Sequence, residues 1–177
     1  MTMRTRNLLT VAAALLLAGC SQNEITEMSP DANPAVGFNV YSGVQTKGTQ
    51  TDVTALKTGF GVFAYHTNSQ SWAAAASGGP NFMYNQKVES SNGSAWTYTP
   101  VKYWPKDEEK VTFFAYGPHS TLSGSGVTVP AVGSITNAPK LTFTIESTND
   151  AAKMTDFVVA KNDASATQDR THANSAS

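Results

Sequence analysis

Apolar residues in this chain recur at every second position in short runs, and turn-forming residues separate the runs. This spacing is typical of strands that bury one face, because successive side chains of a strand point to opposite sides. The sequence shows no amphipathic helical pattern of ten residues, which also favours strands. We therefore predict an all-β fold, an antiparallel β-sandwich in a single domain with disordered ends. The predicted strands, about eight in number, cover 36–40, 56–65, 82–84, 96–98, 111–116, 127–129, 141–145 and 157–160.

Composition narrows the class of protein. The 177 residues carry 12 Lys and Arg against 13 Asp and Glu, and only 14% are charged. A near-neutral chain of this kind lacks the clustered basic residues that nucleic-acid binding needs. Hydrophobic residues at 40% and aromatic residues at 10% argue against wholesale disorder. The composition therefore fits a β-rich globular protein that does not bind nucleic acid.

The N-terminus carries the pattern of a bacterial secretory signal. Arg4 and Arg6 form a basic start, and 8–17 follows without a charge. This apolar run is too short to cross a bilayer, whose hydrocarbon core needs about 20 residues. The run ends in Leu-Ala-Gly-Cys at 17–20, which resembles the lipobox of bacterial lipoproteins. We therefore predict that 1–19 is a lipoprotein signal peptide.

Cys20 is the residue that the lipobox pattern marks for lipidation. It is the only cysteine of the chain and lies where lipid attachment needs a thiol. An ordinary signal peptide followed by a chance cysteine is the alternative. The predicted mature protein is an outer-membrane lipoprotein, held at the cell surface by acyl chains such as palmitate. Residues 20–34 are polar and proline-containing, and we predict a flexible tether there. The acidic residues of the tether fit either a solvated linker or a surface-export signal.

Seven short phrases follow one another in a distinctive order between 58 and 160. Together they resemble the N-terminal domain of the Bacteroides-type fimbrillin family, which includes major and minor fimbrial subunits and anchor-like lipoproteins. The phrases are FGVFAY (60–65), NFMYNQ (81–86), WTYTP (96–100), VKYWP (101–105), VTFFAYGP (111–118), APKLTF (138–143) and DFVVA (156–160).

The resemblance implies a fold and a domain organisation. Family subunits have two β-sandwich domains of transthyretin-like, Greek-key type, and 35–161 is similar to the first of them. Residues 162–177 form a polar tail without a large apolar residue, so no core strand is expected there. We expect that a second domain is missing at this point, as in a truncated product or a short variant.

The resemblance also implies how such a subunit matures and what it contacts. Family members are cut after a basic residue that follows the first strand, and a strand of the next subunit then fills the groove. Lys47 lies in a polar stretch directly after the first predicted strand and is the best-placed basic residue. An exposed loop lysine without a role is the alternative. The implied function is a structural subunit or anchor of a cell-surface fimbrium. Its partners are other fimbrial subunits, joined by donor-strand addition, and it serves adhesion to an unknown host or bacterial surface.

A surface glycan-binding lipoprotein is the second hypothesis for this sequence. Exposed aromatic side chains such as Trp72 and Tyr84 would stack on sugar rings. An exposed row of aromatic side chains would support that function, whereas buried ones would count against it. Trp104, in contrast, is predicted to pack in the core rather than to form a ligand platform.

No residue pattern points to catalysis. The three histidines, His66, His119 and His172, lack metal-ligand spacing and a cysteine partner. The acidic run at 107–109 falls at a predicted turn tip, where a solvated surface is the ordinary explanation. The Gly-x-Ser-x-Gly frame of a nucleophile elbow does not occur. We therefore expect no catalytic residue, no metal and no cofactor, and we predict that the protein is not an enzyme.

Overall fold

A computed structural model describes residues 33–40, 53–75, 78–106, 108–145, 155–160 and 169–171. All of them belong to one compact unit, Asn33–Ser177. The predicted signal peptide, most of the tether, Cys20 and Lys47 lie outside the described residues, as does most of the polar tail.

The described part of the chain is built from short strands and has very little helix. Antiparallel pairing joins five strands in the order β2-β1-β3-β6, with β7 also against β3, and β4 pairs with β5 in a second sheet. This architecture confirms the predicted all-β antiparallel fold. The strands are β1 (Phe60–Asn68), β2 (Met83–Val88), β3 (Lys110–Gly117), β4 (Val127–Thr128), β5 (Thr142–Phe143), β6 (Val158–Val159) and β7 (Asp169–Arg170). The helical turns are α1 (Val53–Leu56), α2 (Trp72–Ala75) and a 3-10 turn, Val132–Ser134.

Strands β1 and β3 form the centre of the five-stranded sheet. They run antiparallel, with Val62 opposite Ala115 and Ala64 opposite Phe113. Both strands carry apolar side chains on both faces, which only a strand covered on two sides can bury. The two apolar faces of these strands are covered by separate groups of core residues. The register of β1 against β2 shifts between Val62 and Ala64, which marks a bulge.

The alternation of side chains along β1 and β3 divides the core between the two faces of the sheet. Cluster one, on the first face, contains Val62, Ala64 and Val111, which are fully buried. Residues 33–40, called here the N-terminal segment, pack against cluster one through Val36. The other buried members of cluster one are Phe60, Met83, Val88 and Trp104. The burial of Trp104 confirms that it packs in the core.

Cluster two lies on the opposite face of the same sheet. Phe63 and Tyr65 of β1 and Tyr116 of β3 are buried there with Val127 and Ile135. Strands β4 and β5 cover this face, because Val127 belongs to β4 and Phe143 of β5 packs against the cluster. The two clusters therefore share the sheet but are covered by different parts of the chain.

Two predicted strands are reduced to single bridges in the structure. Residues 36–40 form no strand, and one bridge joins Ala35 to Tyr103 just before them. Residues 96–98 keep one bridge, between Thr97 and Glu89. Their alternating apolar side chains still pack against cluster one, since Phe38, Val40, Trp96 and Tyr98 all contact it. The alternating pattern therefore predicted which side chains of 36–40 and 96–98 pack against the core, but it wrongly predicted continuous strand pairing there.

Strand β7 is a finding that the sequence did not predict. Asp169 and Arg170 lie within the polar tail, yet they pair with Thr112 and Val111 of β3. This pairing uses main-chain groups, which every residue except proline carries in full, so it needs no large apolar side chain.

Among the described residues, no helix has the length and apolar character that crossing a membrane requires.

Candidate functional site: the seat of the N-terminal segment

The N-terminal segment lies in a groove on the cluster-one side of the sheet. Val36 is 3% exposed, and Phe38 and Val40 are partly buried against the same cluster. Gly37 and Asn39 between them are exposed. Every second side chain therefore points into the groove, as in a strand that covers a sheet face.

Three aromatic rings form the seat of Phe38. Its ring meets those of Phe60, Tyr98 and Phe113 edge-on, at centroid distances of 6.2, 5.5 and 6.0 Å. The edge-to-face arrangement is the favourable one for aromatic pairs, because the positive ring edge meets the negative ring face. We call the surface lined by these three residues and the cluster beneath them the segment groove.

Main-chain hydrogen bonds attach the segment near its start. The Val36 N–H donates to the carbonyl of Lys102 at 2.8 Å, and the Trp104 N–H donates to the carbonyl of Pro34 at 2.9 Å. These two bonds flank Ala35 and Tyr103, which therefore form a non-hydrogen-bonded antiparallel pair. The segment is thus held by backbone pairing at 34–36 and by apolar packing further along.

Tyr98 connects the segment to the turn that precedes residue 102. Its hydroxyl donates to the carbonyl of Val36 at 2.8 Å and accepts the N–H of Lys102 at 3.2 Å. The carbonyl of Lys102 also lies 3.2 Å from this hydroxyl. Burial raises the pKa of Tyr98, so the hydroxyl keeps its proton at neutral pH. Sequence reasoning missed this role, because the contact with Val36 spans 62 positions.

The two site residues predicted from sequence, Cys20 and Lys47, fall outside the described residues. In the sequence, Lys47 lies between the end of the N-terminal segment at 40 and the start of α1 at 53. Its position in the chain thus separates the groove-filling segment from the sheet that forms the groove.

The aromatic residues named for glycan binding are engaged in the core. Trp72 packs against Tyr65 and Phe114, with ring centroids 4.9 and 5.3 Å apart. Tyr84 is 37% exposed, but its ring packs against Phe63 and its hydroxyl donates to the carbonyl of Pro130 at 2.7 Å. Their packing counts against a sugar-binding platform formed by this pair.

The described histidines have partners of their own. His66 Nε2 lies 3.0 Å from Glu109 Oε2 at a partly exposed position. His119 is 3% exposed, and its Nε2 lies 3.2 Å from the Asn85 carbonyl. The Thr121 N–H donates to its Nδ1, so the Nε2 carries the proton. His172 lies outside the described residues, among which no group of three or more potential metal ligands occurs.

Asn85 links His119 to the second cluster. The Tyr116 hydroxyl donates to Asn85 Oδ1 at 2.5 Å, and Asn85 Nδ2 donates to Ser120 Oγ at 3.0 Å. Asn85 itself has a φ of 43°, a left-handed conformation that asparagine tolerates better than most residues. Each of these polar groups is satisfied within the network, which indicates a structural role.

The described residues thus form an antiparallel sheet whose cluster-one face is covered by an N-terminal segment. The model of the fimbrillin-like family matches residues 46–174, so the chain belongs to that family. This assignment confirms the resemblance drawn from the ordered phrases.

Two relatives give the scale of the similarity. The chain is 43% identical over 162 residues to the fimbrium subunit Fim1C of Phocaeicola vulgatus, covering 88% of this chain and 42% of that one. It is also similar to the crystal structure of a fimbrial protein from Bacteroides vulgatus ATCC 8482, with a TM-score of 0.59 and 34% identity. That match covers 72% of this chain and 38% of the other. The chain therefore spans less than half the length of each relative.

Proposed function

We propose that the protein is a structural, non-enzymatic subunit or anchor of a cell-surface fimbrium that assembles by β-strand exchange and serves adhesion. It is exported as a lipoprotein anchored through Cys20, with 20–34 as its tether. The observation that carries the exchange step is the N-terminal segment in the segment groove. Its apolar residues Val36, Phe38 and Val40 fill one face of the core at alternate positions.

Loss of this segment would leave a groove that favours a replacement strand. Fully burying one Val or Phe side chain is worth about 1.5–3 kcal/mol. An empty groove would lose that contribution at Val36 and part of it at Phe38, and would expose the cluster beneath. Loss of the segment would also remove its two main-chain bonds, to the carbonyl of Lys102 and from the N–H of Trp104, which an incoming strand would re-form. Both effects favour addition of a strand from another subunit.

Lys47 is the proposed cleavage position because main-chain hydrogen bonds hold the other nearby lysine in place. Between 33 and 60 the basic residues are Lys47 and Lys57. Lys57 follows α1, and its N–H donates to the Val53 carbonyl at 3.1 Å. Its carbonyl accepts the Ser90 N–H at 3.0 Å. A protease needs an extended, accessible main chain, so these bonds protect the peptide after Lys57.

Limited trypsin digestion of the full chain tests the proposal. We expect an early cut after Lys47, replacement of the bound N-terminal fragment by a strand of another subunit, and multimers that size-exclusion chromatography and mass spectrometry detect. A Lys47→Gln variant is the matched control and should stay uncut at position 47 and monomeric under the same conditions. A full-length homologue serves as the positive control for assembly. If cleavage after Lys47 neither occurs nor permits multimers, the polymerising subunit is excluded, and an anchor or a fragment without function remains.

A further inference from the structure

The segment groove contains features that distinguish one register of an inserted strand from others. A strand that slips by one residue would place Gly37 in the seat of Val36 and Asn39 in the seat of Phe38. A slip by two residues keeps the alternation but mismatches the sizes. It would place Phe38 in the closed seat of Val36, which is 3% exposed, or Val36 in the three-ring seat.

Tyr98 would lose a contact with the segment in both kinds of slip. Its hydroxyl bonds the carbonyl of Val36, and its ring forms one wall of the Phe38 seat. Successive carbonyls along a strand point to opposite edges, so a one-residue slip turns the carbonyl away from the hydroxyl. A two-residue slip restores a carbonyl but removes the phenyl ring that packs against Tyr98. Tyr98 therefore contacts a main-chain carbonyl of the inserted strand and also the aromatic side chain two positions further along that strand.

Position 37 has no such requirement. A Cβ built on Gly37 meets no atom within 4 Å, so the groove leaves this side chain in open space. The segment thus shows which positions of an inserted strand are constrained. An aliphatic residue is needed at the position of Val36 and an aromatic residue at the position of Phe38, whereas the position between them has room for a side chain.

We propose that Tyr98 sets the register of the strand that occupies the segment groove, and that the groove selects a strand of a second subunit with the pattern aliphatic-x-aromatic-x-aliphatic. This inference rests on the proposed strand exchange and adds the chemistry of the partner and the residue that positions it. The carbonyl two residues before the aromatic residue bonds to Tyr98, and the residue before that carbonyl lies opposite Tyr103.

Peptide exchange on the unmodified chain tests the partner pattern. The chain is nicked with trypsin, and synthetic peptides of residues 33–44 compete with the bound fragment. We expect a Gly37→Ser peptide to bind within about twofold of the native peptide, because its side chain enters open space. A Phe38→Ala peptide should bind at least about tenfold more weakly, because it leaves the three-ring seat empty. Equal binding of the native and Phe38→Ala peptides would overturn the predicted pattern.

Disulfide trapping tests the register. In a Cys20→Ser background, Tyr103→Cys supplies the single thiol of the protein, and peptides carry one cysteine at position 33, 35 or 37. Because 35 and 103 form a non-hydrogen-bonded pair, their Cα separation suits a disulfide. The peptide with cysteine at 35 should therefore react preferentially.

Adding Tyr98→Phe isolates the contribution of the hydroxyl. The preference for position 35 should fall by about two- to tenfold, the change expected for one net hydrogen bond. Tyr84→Phe is the matched control, because it removes a hydroxyl bond to Pro130 outside the segment groove, and it should leave the preference unchanged. Trapping at 33, 35 and 37 in equal yield, or an unchanged preference in Tyr98→Phe, would overturn the role of Tyr98.

Different results would contradict the strand exchange and the register set by Tyr98. If no peptide replaces the fragment after nicking, the strand exchange itself is wrong, and the inference falls with it. If peptides exchange without regard to Phe38 or to register, strand exchange stands and only the inference is overturned. The arm with the unmodified protein still decides the partner pattern if Tyr98→Phe does not fold.

Discussion

At the scale of single residues, the sheet depends on one close approach between its central strands. Gly61 of β1 lies opposite Tyr116 of β3. A Cβ at this glycine would lie 2.2 Å from Cε1 of Tyr116, whose hydroxyl is fixed by its bond to Asn85. The glycine is therefore required for the space that it leaves. It has no Cβ to collide with the ring, which stays 3% exposed in cluster two.

We predict that Gly61→Ala lowers the free energy of unfolding by about 1–3 kcal/mol, the cost of forcing extra volume into a packed core. Gly37→Ala is the matched control, because the added Cβ meets no atom within 4 Å. It should change stability by less than about 0.5 kcal/mol, as at ordinary surface positions. Urea unfolding followed by fluorescence measures both. Equal stability of the two variants would contradict the close approach.

His119 gives the stability a pH dependence. Burial lowers the pKa of His119 below its ordinary 6.5, and the bond to the Asn85 carbonyl opposes this shift only in part. In the unfolded chain the histidine takes up its proton at about pH 6.5, whereas the folded protein binds it only at lower pH. Its contribution is therefore fully present above pH 6.5 and is lost as the pH falls below that value.

We expect the urea midpoint of the native protein to fall between pH 7.5 and pH 5 by more than that of His119→Gln. The glutamine cannot titrate, so the difference between the two slopes isolates the histidine from the carboxylates. His66→Gln serves as a second control, because it removes a partly exposed histidine that lies outside the His119 network. Parallel slopes for the native protein and His119→Gln would show that His119 is not the titrating group.

At the scale of elements, the N-terminal segment is bound mainly by side chains. We predict that Phe38→Ala lowers the free energy of unfolding by about 2 kcal/mol. This is below the 3–5 kcal/mol typical of a fully buried phenylalanine, because Phe38 is only partly buried. Asn39→Ala, at an exposed neighbouring position, should leave the unfolding transition unchanged. An unfolding transition of Phe38→Ala that is as unchanged as that of Asn39→Ala would show that the Phe38 seat contributes nothing to stability.

The elements also show how far the sequence predicts this fold. Strands β1 and β3 could be predicted from their local sequence, because a strand that is buried on both faces carries apolar residues at nearly every position. The seat of Phe38 could not be predicted, since its walls come from Phe60, Tyr98 and Phe113. Their proximity is a property of the tertiary fold rather than of any local run. Strand β7 escaped prediction for the opposite reason, because it pairs polar residues through main-chain groups alone.

At the scale of the whole molecule, the lipid anchor is the prediction that only the sequence supports. We expect Cys20→Ser to abolish incorporation of labelled palmitate and to move the protein from the outer-membrane fraction to a soluble fraction. Ser21→Ala is the matched control and should keep both the label and the fraction. Labelling of the Cys20→Ser variant equal to that of the native protein would rule out this anchor.

The division of the core by the sheet has a further consequence. Cluster two is covered by β4 and β5, which follow the two central strands in the chain. Cluster one takes part of its cover from residues that precede them all. A defect at the N-terminal segment is therefore confined to one side of β1 and β3, while the other side remains closed. If the segment is exchanged as proposed, cluster two keeps its own cover while the cover of cluster one is replaced.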